Sequence, residues 1–333
     1  AGSFTRDDFT MATIGFSQTF PNLAKRHARA ARAAADIGIA EAGELVEGRN
    51  VRLETALAWV DLYYGERRLR QLDLLDASLD DLQKTVTARL ASGSARPSQA
   101  LEPDQLRAAI ADRRAEMAAV VAQARARLAR YTGDPDPQAT GDPPMLDVDP
   151  IRLRAGIDAL PALRAQDARI AVAEADVRLA RADKRPDWKV GVTYGRRDPM
   201  YGDMASVGVS IDLPLFAGKR QNPRIAASES LAQGGRFDRE AIRRELVAQL
   251  DADLADHAMH LSRLRNARET LVPLARHRAE LDRDSYGAGK LDLGAALLTT
   301  LGLAEAEVEA LNREADVARD AVRITITYGE ERP

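Results

Sequence analysis

The stretch Ala205-Ser206-Val207-Gly208-Val209-Ser210-Ile211-Asp212-Leu213-Pro214, followed by the basic pair Lys219-Arg220, decides how this chain is read. Ala205, Val207, Val209, Ile211 and Leu213 alternate with Ser206, Gly208, Ser210 and Asp212. Successive side chains of a strand point to opposite faces, so this alternation gives one apolar face and one polar face. In Trp188–Gly195 the same pattern sets Trp188, Val190, Val192 and Tyr194 against Lys189, Gly191, Thr193 and Gly195. Between the two runs lies Arg196-Arg197-Asp198-Pro199-Met200-Tyr201-Gly202-Asp203, rich in turn formers. Trp188–Leu213 is therefore expected to be a β-hairpin.

An earlier stretch matches the first. Ile14-Gly15-Phe16-Ser17-Gln18-Thr19-Phe20-Pro21 resembles Val207–Pro214, and its basic pair is Lys25-Arg26. Each is followed by a long Ala-rich run that ends at a Gly-containing break, Ser92-Gly93-Ser94-Ala95-Arg96 and Gly287-Ala288-Gly289-Lys290-Leu291. Gly15 and Gly208 are 193 residues apart, and Gly93 and Gly289 are 196 apart. Two landmarks at nearly one offset point to an internal repeat, residues 1–145 and 146–333. In the first copy only one strand is visible, Thr10–Phe20, with Ile14, Phe16 and Phe20 on its apolar face. Its hairpin partner is expected before Ala1, in an N-terminal piece that this sequence does not carry.

The rest of each copy reads as helix. Asn22 to Ala91 has no proline, and about 70 residues of helix would extend about 105 Å. Ala217 to Ser285 is similar, with Pro223 near its start and Pro273 expected to kink it. Leu250, Leu254, His257, Leu261, Leu264 and Leu271 suggest a coiled-coil seam with one polar member. Further helices are expected over Asp104–Tyr131, Ala159–Lys184 and Leu293–Thr327, and a surface linker over Thr132–Pro144.

Composition removes several functions. Among 333 residues, 48 basic groups face 51 acidic ones, so no nucleic-acid partner is expected. Aromatics make up only 5 %, which favours long helices over a thick core. The absence of Cys excludes disulfides, thiolate sites and Cys nucleophiles. No apolar run is long enough for a membrane helix, and Ala1–Asp8 does not read as a signal peptide. Gly287-Ala288-Gly289-Lys290 fails the phosphate-loop pattern, because Leu291 stands where Ser or Thr must bind magnesium. There is no Gly-x-Ser-x-Gly elbow, and carboxylates alternate with Arg as on solvated helix faces. Asp253, Asp256, His257, Met259 and His260 fall at helical spacing, but His257 sits in the apolar seam, where a packed histidine is the ordinary reading. The chain is therefore read as a non-enzyme with no cofactor and no metal site.

Strands of nine to eleven residues with one apolar face suit a membrane barrel. Gly, Ser and Thr on the other face suit a wet lumen, and Trp188 and Tyr201 stand at the hairpin ends, where interfacial aromatics belong. One hairpin is too small to cap two such helices in an ordinary globule, whereas strands from several subunits could close a barrel. Arg185-Pro186-Asp187-Trp188, Val207–Arg220 and Tyr286–Leu293 resemble the TolC-type outer-membrane efflux family. Pro199–Met204 and Gln221–Ala226 are most similar to CzcC-like members, which serve cobalt, zinc and cadmium export.

That resemblance implies a mainly α fold with a few membrane β-strands. Long coiled-coil helices would form a periplasmic α-barrel joined to a trimeric β-barrel in the outer membrane of a Gram-negative bacterium. It implies a homotrimer in outer-membrane lipid, working with a periplasmic adaptor and an inner-membrane RND pump. Each subunit would give four strands, of which three are visible here. The strand residues facing lipid would be Ile14, Phe16, Phe20, Trp188, Val190, Val192, Tyr194, Val207, Val209 and Ile211. Adaptor contact would fall on the tips Ala91–Pro97 and Tyr286–Asp292, at Gly93, Arg96, Gly289, Lys290 and Asp292. The family's acidic ring is not matched: Ala295 and Leu298 stand at the equivalent spacing, leaving Asp292 as the acidic residue close by. The competing reading is a soluble periplasmic coiled-coil scaffold or adaptor, which would need no detergent.

Overall fold

The computed structural model describes residues 11–144, 146–197 and 200–329. The elements in order are β1 (Ala12–Phe20), α1 (Leu23–Ala91), α2 (Glu102–Thr132), α3 (Pro150–Gly156), α4 (Pro161–Ala182), β2 (Asp187–Arg196), β3 (Met204–Asp212), α5 (Gln221–Asn266), α6 (Val272–Gly287) and α7 (Leu293–Tyr328). Short 3-10 turns precede α2 and α4. Thr10 of the expected first strand and Asp198 and Pro199 of the expected loop lie outside the described residues, as do Met145 and residues 330–333. No helix among the described residues is long and apolar enough to cross a membrane.

The helix ends follow local chemistry. Gly133 closes α2 at φ +74°, with its N–H donating to the Ala129 carbonyl. Asp149 caps α3 by accepting from the backbone N–H groups of Ile151 and Arg152. This one short helix lies in a stretch not expected to be helical. Pro273 cannot donate to the ladder, and the π-turn Ala267–Leu271 immediately before α6 absorbs the defect.

Two compact units form, each built from discontinuous segments. The first holds Ala1–Val46 and Pro161–Arg244, and contains the sheet. Its helices pack through small residues: Ala28, Ala42, Ala175 and Ala232 are buried, and a Cβ on Gly235 would meet Ile170 at 3.3 Å. The second holds Glu47–Leu160 and Glu245–Pro333 and is built around leucine. Leu72, Leu75, Leu79, Leu82 and Val86 of α1 are all buried at alternating steps of three and four. Leu75, Leu79, Leu82 and Val86 share a cluster with Tyr286, Leu293 and Leu297.

The expected seam of α5 needs correction. Leu250 and Leu264 are buried and Leu254 and His257 half-buried, but Leu261 and Leu271 are exposed, each at 41 %. The face turned inward runs through Leu250, Asp253, His257, His260, Leu264 and Ala267. It is more polar than expected because α7 offers Asp320 and Tyr328 opposite it: His260 Nδ1 lies 2.6 Å from the Asp320 carboxylate, and Tyr328 donates to Asp253 at 2.8 Å.

Candidate functional site

In the first unit the three strands form one antiparallel sheet in the order β1-β2-β3. β1 thus finds a partner within the chain, in β2. The register aligns the alternating patterns across the sheet. Ile14, Tyr194 and Ala205 form one row, Phe16, Val192 and Val207 another, and Phe20, Trp188 and Ile211 a third. Gln18 interrupts the remaining row, beside Val190 and Val209. The opposite face is lined by Gly15, Thr193 and Ser206, by Ser17, Gly191 and Gly208, and by Thr19, Lys189 and Ser210. All ten strand residues expected to face lipid therefore share one face. All ten are exposed, from Val190 at 36 % to Ile14 and Val207 at 74 %. At one end, Tyr201 lies in the turn that Arg197 closes by donating to the Gly202 and Tyr201 carbonyls, while Trp188 stands at the other end.

A polar clamp fastens the Trp188 end of the sheet to its helices. Asn22 donates from its backbone N–H and its side chain to Asp187, and also from its side chain to the Ala182 and Arg185 carbonyls. Lys25 Nζ lies 2.7 Å from Asp187 and 2.9 Å from Asp183. Burial acts to lower the Lys25 pKa, but the two carboxylates outweigh it and raise it. The sequence marked Lys25 only as a landmark; its partners lie about 160 residues away, so nothing local pointed to them.

In the second unit the two expected tips are brought together. Gly93 and Gly289 both adopt φ +73°. Gly93 N–H donates to the Leu90 carbonyl and Ser94 N–H to Arg89; Gly289 N–H donates to Tyr286 and Lys290 N–H to Ser285. Both turns are the same Schellman closure of a helix. Arg89 donates to the Tyr286 carbonyl at 2.8 Å, and its guanidinium lies 4.7 Å from the Tyr286 ring centre. Gln99 donates to Asp292 at 2.7 Å, and Asp292 also caps α7 by accepting from the Gly294 N–H. Glu102 stands near Asp292 with a buried carboxylate oxygen that has no partner among the described residues. Burial, and then the Asp292 charge, hold its carboxyl above the usual range. Lys290 lies in the second turn, Arg96 begins the 3-10 turn Pro97–Leu101 after the first, and Leu298 is exposed at 70 %. Gln99 and Glu102 were missed because neither carries a motif; only their shared proximity to Asp292 gives them significance.

The charged helix faces are mutual pairs rather than a reactive set, as in Arg113–Glu305, Arg319–Asp61 and Arg268–Glu314. His257 and His260 both lie beside Asp320, at 3.9 Å and 2.6 Å. Burial acts to raise the Asp320 carboxyl, but the neighbouring His257 and the hydrogen-bonded His260 outweigh it and hold it below the usual range.

The fold is similar to those of solved outer-membrane channels. VceC of Vibrio cholerae matches with a TM-score of 0.77 and 16 % identity over 96 % of this chain and 79 % of that one. A membrane protein of Pseudomonas aeruginosa matches at 0.81 and 16 % over 96 % and 80 %. The open-state MtrE channel of Neisseria gonorrhoeae matches at 0.72 and 15 % over 96 % and 80 %. No curated protein matches by sequence. The chain belongs to the outer membrane efflux protein family, whose sequence model matches residues 158–330. It is accordingly a component of an efflux duct and not an enzyme.

Proposed function

We propose that this chain is one subunit of a homotrimeric exit duct in the outer membrane of a Gram-negative bacterium, with its helices reaching into the periplasm. One observation carries this reading: the ten apolar strand residues Ile14, Phe16, Phe20, Trp188, Val190, Val192, Tyr194, Val207, Val209 and Ile211 all lie on a single sheet face and are all exposed. Water would oppose such a face over three strands, whereas lipid would stabilise it. The outer edges of β1 and β3 have no partner among the described residues, which suits strands that continue into neighbouring subunits. The tips would meet a periplasmic adaptor and, through it, an inner-membrane RND pump. Gly93 and Gly289 would set the turns, and Arg96, Lys290 and Asp292 would present charge. The matching turns at Gly93 and Gly289 support the reading of residues 1–145 and 146–333 as two copies of one unit. Resemblance of Pro199–Met204 and Gln221–Ala226 to CzcC-like members favours divalent cobalt, zinc or cadmium as cargo.

The test is expression of the full-length gene product in a Gram-negative host, then fractionation and light scattering of the detergent extract. A trimer in the outer-membrane fraction supports the duct, and a water-soluble monomer or dimer sinks it in favour of the coiled-coil scaffold. Loss of zinc, cobalt and cadmium tolerance in a deletion strain is expected for the metal assignment; unchanged tolerance removes it.

A further inference from the structure

The segment that leaves β3, Leu213-Pro214-Leu215-Phe216-Ala217-Gly218-Lys219-Arg220, is unusual for a connection. Leu213, Leu215 and Phe216 are exposed at 66 %, 62 % and 78 %. Phe216 is the one non-glycine residue with positive φ among the described residues, at +59°. That region is disfavoured for a bulky side chain, and such strain persists where the surroundings enforce it. The turn is fixed by the Leu215 N–H donating to the Leu213 carbonyl and the Lys219 N–H donating to that of Phe216. The ring is thereby left exposed, with no described residue covering it.

Charge gathers at the same end of the sheet. Asp187 pairs with Asp212 in register, so residues 184–185 and 213–220 leave the sheet side by side, next to the Phe20–Trp188–Ile211 row. Residues 20–26, 183–188 and 212–224 hold seven basic and three acidic side chains. Of the three acids, Asp183 and Asp187 already engage Lys25. Lys184, Arg185, Lys219 and Arg220 are exposed, with no carboxylate in salt-bridge range among the described residues. Lys189 belongs to the polar face and is not part of this group. The opposite end is balanced: residues 196–204 hold two basic and two acidic side chains, and Arg197 is bound to its own loop.

We propose that this end is a collar for phospholipid headgroups. Leu215 and Phe216 enter the apolar margin of the membrane, and Lys184, Arg185, Lys219 and Arg220 bind the phosphates of anionic phospholipids in the leaflet on the helix side. The occupant follows from continuity and charge. The exposed apolar row at Trp188 passes directly into the exposed Leu213–Phe216 segment, and the basic groups begin where that segment ends. Apolar anchors flanked by lysine and arginine match the boundary between acyl chains and anionic headgroups. The collar rests on the reading of the sheet as membrane strands, and it adds the headgroup class and the leaflet.

The experiment uses the purified full-length channel with Trp188 as its sole tryptophan. Nanodiscs containing bromine-labelled lipid test the membrane reading through quenching of Trp188. Native mass spectrometry of the detergent-solubilised channel, titrated with phosphatidylglycerol in a phosphatidylcholine background, tests the collar. Lys219→Gln/Arg220→Gln is expected to weaken phosphatidylglycerol retention on the order of thirtyfold, the product of two basic groups at an anionic surface, with quenching unchanged. Intact quenching with unchanged retention overturns the collar and leaves the membrane reading standing. Absent quenching in the unaltered channel removes the membrane reading and the collar with it. Complete displacement of phosphatidylglycerol by inorganic phosphate identifies a soluble-anion site and overturns the lipid assignment. Phe216→Gly relieves the backbone strain, so it is expected to weaken retention without lowering the thermal midpoint. A lowered midpoint makes Phe216 a folding element and removes it from the collar.

Discussion

The sheet and the helical end around the tips place similar apolar side chains in opposite surroundings. In the sheet, Phe16 and Val207 are exposed at 72 % and 74 %; among the helices, Leu79 and Leu293 are fully buried. The difference comes from geometry. Apolar residues recurring at steps of three and four fall on one stripe of a helix, and a neighbouring helix of the same chain can cover that stripe. Residues at steps of two fall on one face of a sheet, and here no second layer among the described residues covers it. The apolar helix stripe is covered within the chain, whereas the apolar sheet face is left open by the described residues.

The largest effect that would sharpen this contrast is in the helical core. Leu79→Ala is expected to lower stability by about 2–5 kcal/mol in denaturant unfolding, because a fully buried leucine leaves a cavity. Membrane partition should be unaffected; a shift in partition would break the contrast. Next comes the sheet. Val207→Arg should cost about 2–4 kcal/mol at the lipid face and deplete the outer-membrane fraction, while Ser206→Arg, one residue away on the polar face, should not. Equal behaviour of the two variants would remove the lipid face.

Smaller effects separate the tips from the sheet and from one another. Gly289→Ala and Gly93→Ala should each cost about 1–2 kcal/mol in thermal unfolding, since both glycines are left-handed. Gly289→Ala should be the worse, because its Cβ would meet Arg89 Nη2 at 3.2 Å while nothing lies within 4 Å of Gly93. Asp292→Ala should cost about 1 kcal/mol as a lost cap, whereas Arg96→Ala, which caps with no side-chain bond, should be nearly silent.

The smallest effect is a pH slope. Glu102 holds its proton more tightly in the folded state, so its contribution to stability falls as pH rises from the ordinary glutamate value through the raised one. Thermal midpoints of Glu102→Gln should lack that slope, by a difference below about 1 kcal/mol. Asp320 is shifted the other way. Its contribution is present above the ordinary aspartate value and is lost as pH falls through the depressed one, so Asp320→Asn should flatten the acid limb instead.

Much of the fold was legible because it is local. Period-two alternation set β2 and β3 to within a residue or so, and the absence of breakers set α1 at Leu23–Ala91. The tips were legible because glycine is the residue that closes a helix with positive φ. The face that α5 buries differs from the expected seam: Leu261 and Leu271 are as apolar as the residues that pack, and the choice between stripes belongs to α7, which presents Asp320 to His260. The heptad Leu72–Val86 stood in the sequence with equal clarity and was passed over, because α1 as a whole has no constant apolar side.

By itself, then, the sequence determined the long helices, the turns at Gly93 and Gly289, and the two-faced strands, since each depends on neighbours a few residues away. Tertiary structure decided the pairing of β1 with β2, the clamp of Asn22 and Lys25 on Asp183 and Asp187, and the bond from Gln99 to Asp292. These contacts join groups more than 150 residues apart, and their strength depends on desolvation and geometry that exist only once both partners are in place.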